Sequence, residues 1–187
     1  QVRESNPYSI AVLNGKVYVT DAAGNDLLEV SGSGARVLTV FPNATPDAHS
    51  VPTVVRPGPD GALYVGELTG EKAPNGAARI WRVDPATGRK TVYASGLSRV
   101  TGLAFAPDGS LFVSELTKDF ARFTPGDLVR IPPGGGPPQL FANLLSPTGI
   151  AIRGRTLFVS VSSVGTAVPA PSGPYKGLTG RIVSLPF

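Results

Sequence analysis

Asp108-Gly109-Ser110-Leu111-Phe112-Val113-Ser114-Glu115 reads as a tight turn followed by a short strand that ends on a carboxylate. The same pattern stands at Asp60-Gly61-Ala62-Leu63-Tyr64-Val65-Gly66-Glu67, at Gly15-Lys16-Val17-Tyr18-Val19-Thr20-Asp21 and, with Val161 in place of the carboxylate, at Gly154-Arg155-Thr156-Leu157-Phe158-Val159-Ser160-Val161. Each copy is preceded by a second apolar run, starting at Asn6-Pro7, Val51-Pro52, Arg99-Val100 and Ser146-Pro147. The equivalent positions Pro7, Pro52, Val100 and Pro147 are 45, 48 and 47 residues apart.

Within each unit, four strand-length segments follow one another. The run after the Pro position is strand a, and the run after the Gly-containing turn is strand b, Asp-Gly being a tight-hairpin dipeptide. Leu27–Val30, Arg79–Val83, Asp127–Ile131 and Arg181–Leu185 form strand c. Arg36–Phe41, Lys90–Ala94 and Pro138–Ala142 form strand d. Alternation in Val17-Tyr18-Val19 and Leu38-Thr39-Val40 has the period of two that strands require, and Gly or Pro interrupts every candidate helical stretch. A four-stranded unit recurring at this period is a propeller blade. The expectation is an all-β chain: a β-propeller with four four-stranded blades at about 6–45, 51–95, 100–143 and 146–187, the last lacking its outer strand. Trp81, Phe105, Phe112, Tyr64 and Phe158 are expected to pack between neighbouring blades.

Composition agrees. The 187 residues include 23 Gly and 19 Pro, 41% are hydrophobic, and no apolar run approaches the ~20 residues that span a bilayer, so no membrane span is expected. There is no Cys, which excludes disulfides, zinc–thiolate sites and a cysteine nucleophile. There is also no Met, so the expectation is that chain upstream of Gln1 was cleaved or cut away, a signal peptide being one candidate. The formal charge is +4, and the basic residues of the second half, such as Arg122, Arg130, Arg153, Arg155 and Arg181, are scattered singly. That distribution suits a solvated surface and gives no expectation of nucleic-acid binding. Asn43-Ala44-Thr45 is an Asn-x-Thr sequon, read here as a turn-rich loop.

Glu4-Ser5-Asn6-Pro7-Tyr8-Ser9, Ser50-Val51-Pro52-Thr53, the segment Gly58 to Gly70 and Ala78-Arg79-Ile80-Trp81-Arg82-Val83-Asp84-Pro85 resemble the ScyD/ScyE family of bacterial propellers. More distantly, the repeats resemble NHL-type and gluconolactonase-like propellers. The resemblance covers essentially the whole chain, as the later portion of a longer family domain. It implies an extracytoplasmic setting, periplasmic or secreted, and a six-bladed ring of which about two blades are absent here. It assigns no catalytic residue.

Connections alternate between the two faces of a blade. The b–c loops and d–a connectors share one face, which carries the long segments Phe41–Ser50, Thr69–Ala78, Thr117–Gly126 and Ser162–Gly180. Long loops on a rigid scaffold are where binding residues gather, so this is the expected functional face. Asn6, His49, Ser50 and Arg99, at the starts of the units, are its candidate ligand-binding residues, and His49 is the only His. Asp21, Glu67 and Glu115 end strand b in three units. Three carboxylates could hold Ca²⁺ or another divalent cation through oxygen ligands. Alternatively each caps a turn or pairs with an Arg, and occurrence once per repeat favours that structural reading.

No cofactor is required by the sequence. The expected function is a non-enzymatic binding or assembly module, its partner a protein or the remaining propeller blades. The alternative is a metal-assisted lyase or lactonase-like hydrolase with Glu67, Glu115 and His49 nearest the channel mouth. Because the fourth unit stops at strand c, the chain is not expected to form a self-sufficient closed monomer. The rival is a four-bladed ring closed by Gln1–Glu4.

Overall fold

The computed structural model describes residues 4–32, 34–119, 124–163 and 179–187. They form fifteen strands and, among the described residues, no helix. The strands are β1 (Pro7–Leu13), β2 (Lys16–Asp21), β3 (Asp26–Ser31), β4 (Gly34–Val40), β5 (Pro52–Pro57), β6 (Leu63–Glu67), β7 (Ala78–Val83) and β8 (Lys90–Leu97). They continue with β9 (Val100–Phe105), β10 (Leu111–Glu115), β11 (Gly126–Ile131), β12 (Gln139–Leu144), β13 (Ile150–Arg153), β14 (Thr156–Val161) and β15 (Arg181–Pro186). Each sheet is a meander in chain order: β1-β2-β3-β4, β5-β6-β7-β8, β9-β10-β11-β12 and the three-stranded β13-β14-β15. This is the blade pattern expected from the repeat, with the fourth blade ending at strand c. The candidate closing segment Gln1–Glu4 lies almost wholly outside the described residues.

Turn chemistry sets the hairpins. Asn14 and Gly15, both at positive φ (51° and 75°), join β1 to β2 with Leu13 opposite Lys16. Two consecutive left-handed residues give the turn whose twist matches the flanking strands. Gly61 and Gly109 take φ of 74° and 83° at the corresponding Asp-Gly turns. An acid–base pair locks each of those turns to strand c: Arg82 Nε lies 2.6 Å from Asp60 Oδ2, and Arg130 Nη2 lies 2.5 Å from Asp108 Oδ2.

The chain forms two compact units, Gln1–Val100 and Thr101–Phe187. In the first, one face of the sheet β1–β4 (Ala11, Tyr18, Leu27) is buried together with the face of β5–β8 that carries Val55, Leu63, Val65, Trp81 and Val83. In the second, Phe112, Leu128 and Ala106 of the third blade are buried with Ile150, Leu157, Val159 and Val161 of the fourth. Period-two alternation sends one set of side chains forward and the other back along each strand. The front of the second blade is thus met by the back of the first, and the front of the fourth by the back of the third. Tyr64 and Trp81 are buried and Phe112 is wholly so, as the sequence implies. Phe158 departs from that expectation and is exposed, because it lies on the back of the fourth blade, which no later sheet covers.

A hydroxyl ties successive blades at their inner strands. Thr53 Oγ1 donates to the Val100 carbonyl at 2.6 Å, and Thr101, its equivalent 48 residues on, donates to the Pro147 carbonyl at 3.0 Å. Thr101→Val keeps the shape and leaves that carbonyl without its donor. The expected loss is about 1 kcal/mol, read as a shift in the urea midpoint with an unchanged slope; an unshifted midpoint would deny the bond a role.

Candidate functional site

The residues that end strand b are placed by register. Glu67 follows Val65 on the front of β6, and Arg79 and Trp81 occupy the same face of the neighbouring strand β7, where Trp81 pairs with Val65. Glu67 is fully buried. Its Oε2 accepts from the Arg79 backbone N–H and from Arg79 Nε, each at 2.9 Å. Its Oε1 accepts from Arg79 Nη2 at 2.9 Å and from Trp81 Nε1 at 2.7 Å. Four donors thus engage both oxygens. Burial pushes the Glu67 carboxyl above its ordinary value, and the bonds from Arg79 and Trp81 oppose that shift. Arg79 also stacks over the Trp81 ring at 4.8 Å and donates through Nη2 to the carbonyls of Pro42 (2.9 Å) and Asn43 (3.1 Å).

The second network runs along the connector into the second blade. Asn25 Oδ1 accepts from the Val51 N–H at 2.9 Å and from the Ser50 hydroxyl at 3.2 Å. Ser50 is buried, whereas His49 is exposed with Nδ1 3.2 Å from Asn43 Oδ1. Asn43 therefore links His49 to Arg79 and, through it, to Glu67. A short hairpin, with Thr45 bridged to Ala48, forms the rest of this loop.

Asp21 works differently. Its carboxylate accepts from the N–H groups of Asn6 (2.8 Å), Gly24 (2.9 Å) and Ala23 (3.1 Å) and from the Ser5 hydroxyl. Burial tends to raise the Asp21 carboxyl, but these bonds, led by Asn6 N–H, outweigh it and hold it below the ordinary 3.8. A depressed folded value contributes stability that is present above the unfolded value and lost as pH falls through the folded one. Asp21→Asn should therefore be less stable than the parent at neutral pH, with the difference shrinking in acid. Thermal melts from pH 7 down to pH 3 check this, and a difference that stays constant across the range would contradict it.

Arg99 is buried, takes φ of 49° and donates from Nη1 to Asn75 Oδ1 at 2.5 Å. Ser98 Oγ accepts from the Gly76 N–H at 2.9 Å, so both residues tie down the loop before β7. Asn6 acts through its backbone, and its side chain is exposed. Glu115 is buried at the end of β10, paired in register with Asp127. Asp127 in turn contacts Lys118 Nζ at 2.9 Å and accepts from Asn143 Nδ2 at 2.6 Å. Of the long loops, residues 120–123 and 164–178 lie outside the described residues.

The structure thus brings Glu67, His49 and Ser50 into neighbouring networks of the first unit, joins Asp21 and Asn6 in a second local network and gives Arg99 a third. Among the described residues no three His, Asp or Glu side chains come close enough to hold a metal ion together. Sequence reasoning missed the residue opposite each strand-b carboxylate: Asp26 facing Asp21, Arg79 beside Glu67, and Asp127 facing Glu115. The signal was available as the first charged residue of strand c. A second missed feature is the left-handed backbone at Val51, Arg99 and Ser146 (φ 50°, 49° and 43°), the residue before the Pro52, Val100 and Pro147 positions of three repeats. A β-branched residue at positive φ is a genuine outlier, so Val51 is held there by its surroundings.

No protein-family model matches the sequence, and no curated protein matches it. Solved structures do. A gluconolactonase from Xanthomonas campestris is 18% identical, with a TM-score of 0.66 over 99% of this chain and 59% of its own. A catalytically inactive virginiamycin B lyase from Staphylococcus aureus, solved with quinupristin, is 23% identical, with a TM-score of 0.59 over 82% of this chain and 48% of its own. The computationally designed protein Ika4 is 13% identical, with a TM-score of 0.57 over 100% of this chain and 94% of its own. The chain spans about half to three fifths of the two natural proteins. These likenesses show a β-propeller fold.

Proposed function

We propose that the chain is a non-enzymatic, extracytoplasmic propeller module that works by binding and assembly. The observation that carries this reading is the saturation of Glu67. It is the most buried carboxylate near the candidate face, and Arg79 and Trp81 already supply a donor to every site it offers at good geometry. A metal ion or a substrate proton would have to displace those donors. Asp21 is likewise committed to the turn it caps. Glu67 and Asp21 thus serve the scaffold, and the long loops and open sheet faces are left for partners. The extracytoplasmic setting and a six-bladed parent ring rest on the resemblance to ScyD/ScyE propellers.

The lactonase and lyase similarities favour one second reading, a metal-assisted hydrolase or lyase using Glu67, Glu115 and His49. Assays with simple aldonolactones and with a streptogramin B depsipeptide, in millimolar Ca²⁺, Mg²⁺ or Mn²⁺, separate the two. The expected result is no turnover above buffer. Turnover abolished by His49→Ala or Glu67→Gln would establish the enzyme instead.

A further inference from the structure

The inner strands β1 and β5 stand first in their sheets, so each is paired along one edge and open along the other. Backbone groups on an open edge must find side chains, water or ligands in place of a neighbouring strand. At the seam between the first two blades, two side chains on these strands depart from the repeat. Arg56 occupies the position of Ala11, Ala104 and Ala151, and Ser9 occupies that of Val54, Gly102 and Gly149. A cation in place of three alanines, and a hydroxyl in place of a valine and two glycines, serve no need that the other blades share.

The two exceptions meet. Arg56 Nη1 donates to the Val55 carbonyl at 2.8 Å and lies 3.5 Å from Ser9 Oγ, which also faces the Val55 N–H at 3.4 Å. Both donors point at the Ser9 oxygen, so the hydroxyl proton is left to bond elsewhere. The guanidinium is only partly exposed, and burial alone lowers it from its ordinary value. Arg79, Arg82 and Arg130 each have an acid partner. Arg56 has none among the described residues; Asp60, the acid nearest to it in sequence, pairs with Arg82 at 2.6 Å. A partly desolvated cation without a counter-charge is costly. Its remaining N–H groups form a planar fork that matches a carboxylate or a phosphate.

We propose that Arg56 and Ser9 bind a small free oxyanion, a carboxylate or a phosphate, at the inner seam of the first two blades. The anion accepts from the guanidinium donors that Val55 leaves unused and from the Ser9 hydroxyl. Both residues lie inside the first compact unit, so the site is built from two described blades alone. It gives the module a small-molecule ligand, and it stands whether or not the strand-b carboxylates do chemistry.

Isothermal titration of sodium phosphate and, separately, of sodium acetate into the chain tests it, at constant ionic strength and with sodium chloride as control. The expected result is saturable binding of at least one of the two, with a Kd of about 1 mM or tighter, and a Tm that the bound anion raises. Arg56→Ala restores the residue of the other three repeats, so in chloride it should melt at or above the parent. Its affinity for the anion should fall by at least about tenfold, and that of Ser9→Ala by about tenfold, the value of a hydrogen bond to a charged group. Binding that either variant retains in full would overturn the proposal, since it would belong to other groups. A parent that neither anion saturates at about 20 mM would overturn it as well. So would an Arg56→Ala chain that melts well below the parent in chloride, because the guanidinium would then be part of the scaffold.

Discussion

Glu67→Ala is expected to cost the fold about 3–5 kcal/mol, the range for removing one partner of a buried ion pair. The side chain has no solvent exposure, and its loss leaves the Arg79 guanidinium and the Trp81 N–H without their acceptor in the space between the first two blades. Arg79 keeps the carbonyls of Pro42 and Asn43, which places the guanidinium's share at the low end of that range. The orphaned indole N–H adds about 1–3 kcal/mol. Glu67→Gln preserves volume and one acceptor oxygen but turns an amide N–H₂ toward Arg79 donors, so it should fall between parent and Glu67→Ala. Urea unfolding of all three gives the order directly. A Glu67→Ala midpoint within error of the parent would show that the network contributes nothing.

Gly102→Ala should be strongly damaging. Gly102 lies on the inner strand β9, where an added Cβ would overlap the Thr148 carbonyl oxygen and come within 2.6 Å of Ser114 Oγ. The obstacle is backbone of the adjoining blade, which cannot swing aside as a flexible side chain would. Overpacking of this kind costs about 3 kcal/mol, or about 6–12 °C in Tm for a chain of this length. The equivalent positions Ser9 and Val54 carry side chains, so the requirement comes from the close approach of the next inner strand and not from the blade itself. Differential scanning calorimetry checks it, and a Tm lowered by less than 2 °C would show that the strands can separate at no cost.

The blades were legible in the sequence because their signals are local. Asp60-Gly61 and Asp108-Gly109 fix hairpins from two residues, and the interval from Pro7 to Pro52 to Val100 to Pro147 needs no tertiary information. The observed strands c and d, such as β7 (Ala78–Val83) and β12 (Gln139–Leu144), begin within two residues of where alternation puts them. The carboxylates at the ends of strand b were visible too, but their partners were not. Arg79 reaches Glu67 across twelve residues only once β6 and β7 are in register, and the turn geometry between them is set by an irregular loop. The left-handed Val51 carries no compositional mark, because its conformation is imposed by Asn25 holding its N–H from another strand connection. Phe158 and Ile182 look in sequence like the core residues they replace. Among the described residues, no sheet follows the fourth blade to cover them.

Isothermal titration of Ca²⁺, Mg²⁺, Mn²⁺ and Zn²⁺ into the parent chain and into Glu67→Gln tests the central claim most directly, that the strand-b carboxylates hold the scaffold and do no chemistry. Since Arg79 and Trp81 fill the Glu67 oxygens, and backbone N–H groups engage Asp21 Oδ1 while the Ser5 hydroxyl engages its Oδ2, the account predicts no binding tighter than about millimolar, which is −4 kcal/mol or weaker, and no difference between the two proteins. Micromolar binding by the parent that is lost in Glu67→Gln would contradict it and place a metal centre at the end of β6.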